Sequence, residues 1–234
     1  MAASAVGTAG RPEPVPRPQL PDSHPLVLSL FALTVVSGLI DAVSYLGLGH
    51  VFAANMTGNV VVVGFALAGA PGFSVLGSTV ALAAFLLGAG LAGRVAGPRS
   101  ASGRGRRLRV ALVLEVVLHG AAAVGVFAWG TAGAAQYVLV AVLALAMGLR
   151  TGIVRTLGVP DLTTTVLTMT LAGLAADSRP AGGAAPRQRR RAVAVAAMVA
   201  GAASGAVLVR HGQAGWALVS AAGPAGVTFL LYRE

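Results

Sequence analysis

Six stretches of this chain, residues 26–48, 73–97, 108–130, 134–156, 191–210 and 214–232, are strongly apolar, and none holds more than two charges. Each is close to the roughly 20 residues that a helix needs to cross a hydrocarbon core about 30 Å thick. Backbone in hydrocarbon must satisfy its own hydrogen bonds, and uninterrupted apolar runs of this length do so as helices. Composition points the same way. Charged residues are 10% of the chain, AVILMFWYC are 56%, and mean hydropathy is +0.81, whereas soluble domains carry about 25% charge. So few charges cannot cover a water-facing surface. The chain therefore reads as an all-α, polytopic membrane helix bundle whose first partner is the lipid bilayer.

Residues 1–25 hold Arg11, Arg17 and six prolines with almost no apolar periodicity, so they are expected to form a disordered Pro/Arg-rich tail ahead of a transmembrane domain over 26–234. The apolar run after this tail contains Asp41 and is too long for the apolar part of a cleaved signal peptide. The net charge of +10 sits in short runs beside apolar segments. It reads as a topology signal, and no nucleic-acid partner is expected. With no cysteine in the chain, disulfides, iron–sulfur clusters, thiol catalysis and cysteine-ligated zinc are excluded.

Two further stretches have one apolar half and one polar half. Residues 51–70 begin with Asn55, Thr57, Gly58 and Asn59, and residues 161–176 begin with Asp161, Thr163, Thr164, Thr165, Thr168 and Thr170. Arginines cluster at Arg99, Arg104, Arg106, Arg107 and Arg109, and again at Arg179, Arg187, Arg189, Arg190 and Arg191. If all eight segments crossed, these two loops would lie on opposite faces, against the rule that basic loops stay in the cytoplasm. Six spanning helices plus two short half-depth helices put tail, loops and C-terminus on one side. That is the expected topology, with eight crossings as the alternative.

The chain also carries an internal two-fold repeat over 26–130 and 134–232. Gly38-Leu39 recurs as Gly148-Leu149, and Met56-Thr57-Gly58-Asn59 aligns with Leu167-Thr168-Met169-Thr170. Phe85-Leu86-Leu87-Gly88, with Ala92 one turn on, aligns with Met198-Val199-Ala200-Gly201 and Gly205. With three crossings per half the second copy is inverted, an arrangement common among transporters, whose broken helices meet near the midplane.

Polar residues at membrane depth define the candidate site. Asn55, Thr57, Gly58, Asn59, Thr165, Thr168 and Thr170 are expected to face inward, and helix starts facing each other across a shared site would suit an anion. The same side chains could instead cap their own helices and bond to neighbouring ones. Asp41 would cost about 2.5–3.5 kcal/mol at the centre of a spanning helix, and Arg150 is its expected partner, as a gate or as a structural ion pair. Glu115 and His119 share a helix face. They could relay protons, but the nearness of Glu115 to an arginine loop favours a carboxylate snorkelling to the surface. Gly88, Ala92, Gly201 and Gly205 offer small-residue faces for close helix packing. His24 and His50 have no second ligand at useful spacing, so neither a metal nor any other cofactor is expected. Asn55-Met56-Thr57 matches a glycosylation sequon at a depth where no glycan could be attached.

The strings GLIDAVSYLGLGHVFAANMTGNVVVVG at 38–64, AMGLRTGIVRTLGVPDLTTTVLT at 146–168 and FLLGAGLAG at 85–93 resemble the YoaK family of bacterial multi-pass membrane proteins. The resemblance covers nearly everything after the tail. Its Asp-bearing first motif with MTGN is fairly specific, whereas the small-residue helix alone is not. This chain departs from the family pattern at Arg150, where Gln is usual, and at Thr168-Met169, where Thr-Gly is usual. That family has no settled activity, so the resemblance implies topology, and a bacterial plasma membrane with both termini cytoplasmic.

No phosphate-binding loop, HExxH or GxSxG is present, so ATP hydrolysis, zinc-protease and serine-hydrolase chemistry are not expected and no catalytic residue is assigned. The leading expectation is a secondary transporter or channel for a small, anionic solute. The alternative is a non-transporting scaffold or regulator acting through its arginine loops, which could also hold anionic lipid headgroups. An intramembrane enzyme would require Glu115, His119 or Asp41 to converge on one cavity. Self-association into a homo-oligomer stays open.

Overall fold

A computed structural model describes residues 21–96, 103–157, 167–185 and 187–231. Eight α-helices follow in order: α1 (Pro25–Gly47), α2 (Met56–Leu67), α3 (Val75–Ala96), α4 (Arg104–Trp129), α5 (Ala134–Leu157), α6 (Leu167–Ala176), α7 (Gln188–Arg210) and α8 (Ala214–Leu231). The described residues include no strand. Five helices, α1, α3, α4, α5 and α7, are long and apolar enough to cross a membrane. The sixth expected span, α8, has 18 residues and an internal Pro224, at the short limit for a crossing. Large apolar side chains such as Leu86, Leu87, Val117, Val124, Val199 and Val207 lie on the outer faces, as a lipid-facing bundle requires.

Local chemistry sets the ends of α1. His24 accepts the Leu26 N–H at 3.1 Å and Pro25 occupies the first turn, where its missing N–H is harmless. Residues 21–25, assigned to the disordered tail from sequence, are therefore fixed, and Asp22 also accepts a bond from Arg190 at 2.7 Å. The rest of that tail, 1–20, lies outside the described residues, as do Arg99 and Arg233. At the other end of α1, Gly49 takes a left-handed φ of +82° and the chain turns towards α2.

Helix directions follow from which ends meet. One cavity is lined by Gly47 at the end of α1, Gly130 just past α4, Gly212 just past α7, and the start of α8 at Ala214. At the opposite end, Leu26 and Leu30 of α1 pack with Leu108 and Leu112 of α4, Ala194 of α7 and Val154 near the end of α5. So α1, α4 and α7 run one way, and α3, α5 and α8 run the other. Each long helix of the first half is antiparallel to its counterpart four places later. Neither α2 nor α6 reverses the order. At 12 and 10 residues and 1.5 Å per residue, they span about half of a bilayer core.

Packing exchanges in the same pairs, since α1 lies along α7 and α3 along α5. Both seams are made by glycine. A Cβ on Gly201 would collide with the Val35 carbonyl and one on Gly38 with the Met198 carbonyl, while one on Gly205 would lie 2.8 Å from the Leu39 carbonyl. In the other seam Gly88 meets the Leu145 carbonyl and Gly148 the Phe85 carbonyl, and Ala92 packs against Gly152. Such backbone approach is what small residues permit where lipid supplies no hydrophobic drive. Arg94, Arg106, Arg107, Arg109 and Arg155, together with Arg187, Arg189, Arg190 and Arg191, gather at the end where α1, α4 and α7 begin. Arg210 lies at the other end.

Candidate functional site

Between α1 and α2 the chain leaves helical geometry over residues 48–55, and at membrane depth such backbone needs dedicated partners. The amides of Phe52, Ala53 and Ala54 each have one. Asn59 accepts the Phe52 N–H at 2.9 Å and donates to the Phe52 carbonyl at 2.6 Å. Ser44 accepts the Ala53 N–H at 3.1 Å, and Asp41 accepts the Ala54 N–H at 2.7 Å. Asn55 is the N-cap of α2 and accepts the Gly58 N–H at 3.3 Å. The short polar string thus ties the head of α2 to the inner face of α1.

In front of that head lies a cavity of about 510 Å³, lined by Asp41 and Tyr45 of α1, by Asn55, Thr57 and Gly58, by Thr168 and Leu171 of α6, and by Met198 of α7. The first turns of both short helices share its wall. Of the candidate residues it unites Asp41, Asn55, Thr57, Gly58 and Thr168. Asn59 is buried and serves as the brace just described, while Thr170 is buried on α6 without lining the cavity. Thr165 lies outside the described residues.

Two expectations are corrected. Arg150 does not pair with Asp41. Its Nη1 donates to Glu115 Oε1 at 2.8 Å and to the Leu33 carbonyl at 3.1 Å, and its Nη2 donates to the Ser37 hydroxyl. Nor does Glu115 snorkel. It is 1% exposed, and His119 is wholly buried, because α4 begins at Arg104 and places Glu115 about 16 Å inside the helix. Glu115 Oε2 and both ring nitrogens of His119 have no hydrogen-bond partner among the described residues. Neither residue lines the cavity that holds Asp41. At the head of α2 the Gly58 N–H is engaged by Asn55, and the amides of Phe52, Ala53 and Ala54 just before the helix are engaged by Asn59, Ser44 and Asp41.

Sequence reasoning missed the aromatic wall. Phe52, Phe65 and Phe73 line the cavity with Tyr45. Tyr45 stacks on Phe52 at 4.6 Å between centroids, and Phe65 and Phe73 lie 5.5 Å apart. In a chain with 5% aromatic residues, their concentration between positions 45 and 73 was the available signal. His50 packs edge-on against Tyr45 and reaches the Gly72 carbonyl at 3.1 Å. His24 is a helix cap, and no cluster suited to a metal ion occurs among the described residues.

Residues 29–231 match the model of a family described as a protein of unknown function, DUF1275. The chain belongs to that family. It is also 35% identical over 154 residues to the UPF0700 transmembrane protein YoaK of Bacillus subtilis (strain 168). That alignment covers 64% of this chain and 65% of the relative's length, so the chain spans just under two thirds of that curated relative. The protein is a multi-pass membrane protein of the YoaK family. No solved structure matches it.

Proposed function

We propose that the protein is a secondary transporter or channel for a small solute, not an enzyme, and that the cavity between α2 and α6 is its solute site. Asp41, Asn55, Thr57, Gly58 and Thr168 would contact the solute, and Asn59 and Thr170 would support the short helices. The carrying observation is that the first turns of two half-length helices, from opposite halves of the chain, open onto one cavity. Antiparallel halves with exchanged glycine seams support an inverted repeat, in which one half rocks against the other around a fixed site. By the positive-inside rule the arginine-rich end would face the cytoplasm of a bacterial plasma membrane. Its Arg106 and Arg109 border an apolar groove on α4 that suits an anionic lipid headgroup.

Flux from proteoliposomes, measured over a panel of ions and small polar solutes, tests this. Thr57→Val and Thr168→Val should reduce flux while the thermal transition stays unchanged. Full flux in both variants, combined with loss of cellular function on replacing Arg106, Arg109 and Arg189, would favour a scaffold acting through the arginine end instead.

A further inference from the structure

Among the described residues Asp41 is the one charged residue lining the cavity, and it is 6% exposed. Among the described residues no cationic side chain forms an ion pair with it. The charge of Arg150 reaches Asp41 only at a distance, because its guanidinium is committed to Glu115. Backbone amides stabilise the carboxylate without neutralising it, and a buried charge without a counter-charge is expensive to hold at membrane depth. The missing counter-charge has somewhere to sit, because the cavity lies directly against Asp41.

Its remaining wall fits the same occupant. Four of the chain's aromatic residues, Tyr45, Phe52, Phe65 and Phe73, line it, and aromatic faces attract cations, most strongly where water is excluded. Thr57, Thr168 and Asn55 supply oxygens that can accept an N–H or O–H bond. A volume of about 510 Å³ exceeds what a bare inorganic ion fills and falls in the range of pockets for small organic ligands.

We propose that this cavity binds a small organic cation, an ammonium or guanidinium group carrying an apolar portion, with Asp41 as its counter-charge and the aromatic wall as its seat. The proposal rests on the cavity being the solute site and replaces the anionic solute expected from sequence.

The test uses three probes of matched size: choline, its uncharged carbon isostere neohexyl alcohol, and the tert-butylacetate anion. Binding is measured calorimetrically on the purified full chain in lipid nanodiscs, and flux in proteoliposomes. Choline should bind and the other two should not. Asp41→Asn keeps an oxygen for the Ala54 N–H and should weaken choline by about tenfold or more. Should that variant fail to fold, Phe65→Leu with Phe73→Leu leaves the carboxylate tie untouched and should weaken choline several-fold. Neohexyl alcohol binding as well as choline would mean that Asp41 carries a proton, and would overturn the proposal. Preferential binding of tert-butylacetate, or no binding of any probe, would overturn it too. Choline that binds through Asp41 but never crosses would leave the cation site standing and remove the transport reading. An uncharged or anionic probe that crosses would do the reverse.

Discussion

Two carboxylates are buried among the described residues of this bundle, and their surroundings differ. Glu115 lies inside packed protein and is tied to Arg150, whose guanidinium also holds the Leu33 carbonyl and the Ser37 hydroxyl. One ion pair thereby joins α1, α4 and α5. Among the described residues the carboxylate of Asp41, on the same α1, has only backbone amide partners, and it lines a cavity. The difference separates roles that sequence alone could not. A charge neutralised inside the protein fixes how helices meet, whereas a charge left facing a cavity is available to something that enters it.

The largest expected effect tests the first half of that comparison. Arg150→Leu leaves Glu115 buried without its partner and should destabilise the protein by about 3–5 kcal/mol, read as a fall in the thermal transition in detergent. Removing both charges, with Arg150→Met and Glu115→Leu, should recover most of the loss. A single variant as stable as the parent would mean that water reaches Glu115 and that the contrast with Asp41 is false.

Next comes the frame that keeps both centres in place. Gly201→Ala puts a methyl group against the Val35 carbonyl, and overpacking of this kind costs about 1–3 kcal/mol. Gly90→Ala, where a Cβ meets nothing within 4 Å, should be neutral in the same melt. Equal effects would show that the α1–α7 seam is not close-packed.

Asp41→Asn should act differently from Arg150→Leu. Its amide oxygen can still accept the Ala54 N–H, so the stability change should be about 1 kcal/mol while binding of a cationic probe weakens by about tenfold or more. A large stability loss with binding retained would make Asp41 a structural residue. Smallest of all, Thr57→Val on the exposed cavity wall should move stability by less than about 0.5 kcal/mol and alter only probe affinity or flux.

Much of the fold was legible because it follows from length and small residues. Apolar runs fixed the long helices, and the polar heads of 51–70 and 161–176 marked the two short helices α2 and α6. Gly88, Ala92, Gly201 and Gly205, the expected packing faces, lie in the two seams, whereas their partners Gly38 and Gly148 stand out in the sequence only as repeat positions and Gly152 not at all. The site was legible only in part. Asn55, Thr57, Gly58 and Thr168 stood out as polar groups at depth, but whether Arg150 meets residue 41 or residue 115 depends on helix rotation and tilt, which no spacing encodes. Glu115 looked superficial because the helix start was placed at 108, whereas α4 begins four residues earlier at Arg104. The aromatic wall escaped notice because Tyr45, Phe52, Phe65 and Phe73 come from a helix end, a break, a short helix and a turn. They share no periodicity.

The account turns on the cavity beside Asp41 being reachable from water while the Glu115–Arg150 centre is not. Because the chain has no native cysteine, the direct measurement is the rate at which a small water-soluble methanethiosulfonate labels Thr57→Cys, Thr168→Cys and Ser37→Cys in membranes, with and without choline. The account predicts that the first two label and are slowed by choline, while Ser37→Cys stays unlabelled. Inert cysteines at 57 and 168, or labelling at 37 as fast as at either of them, would contradict it.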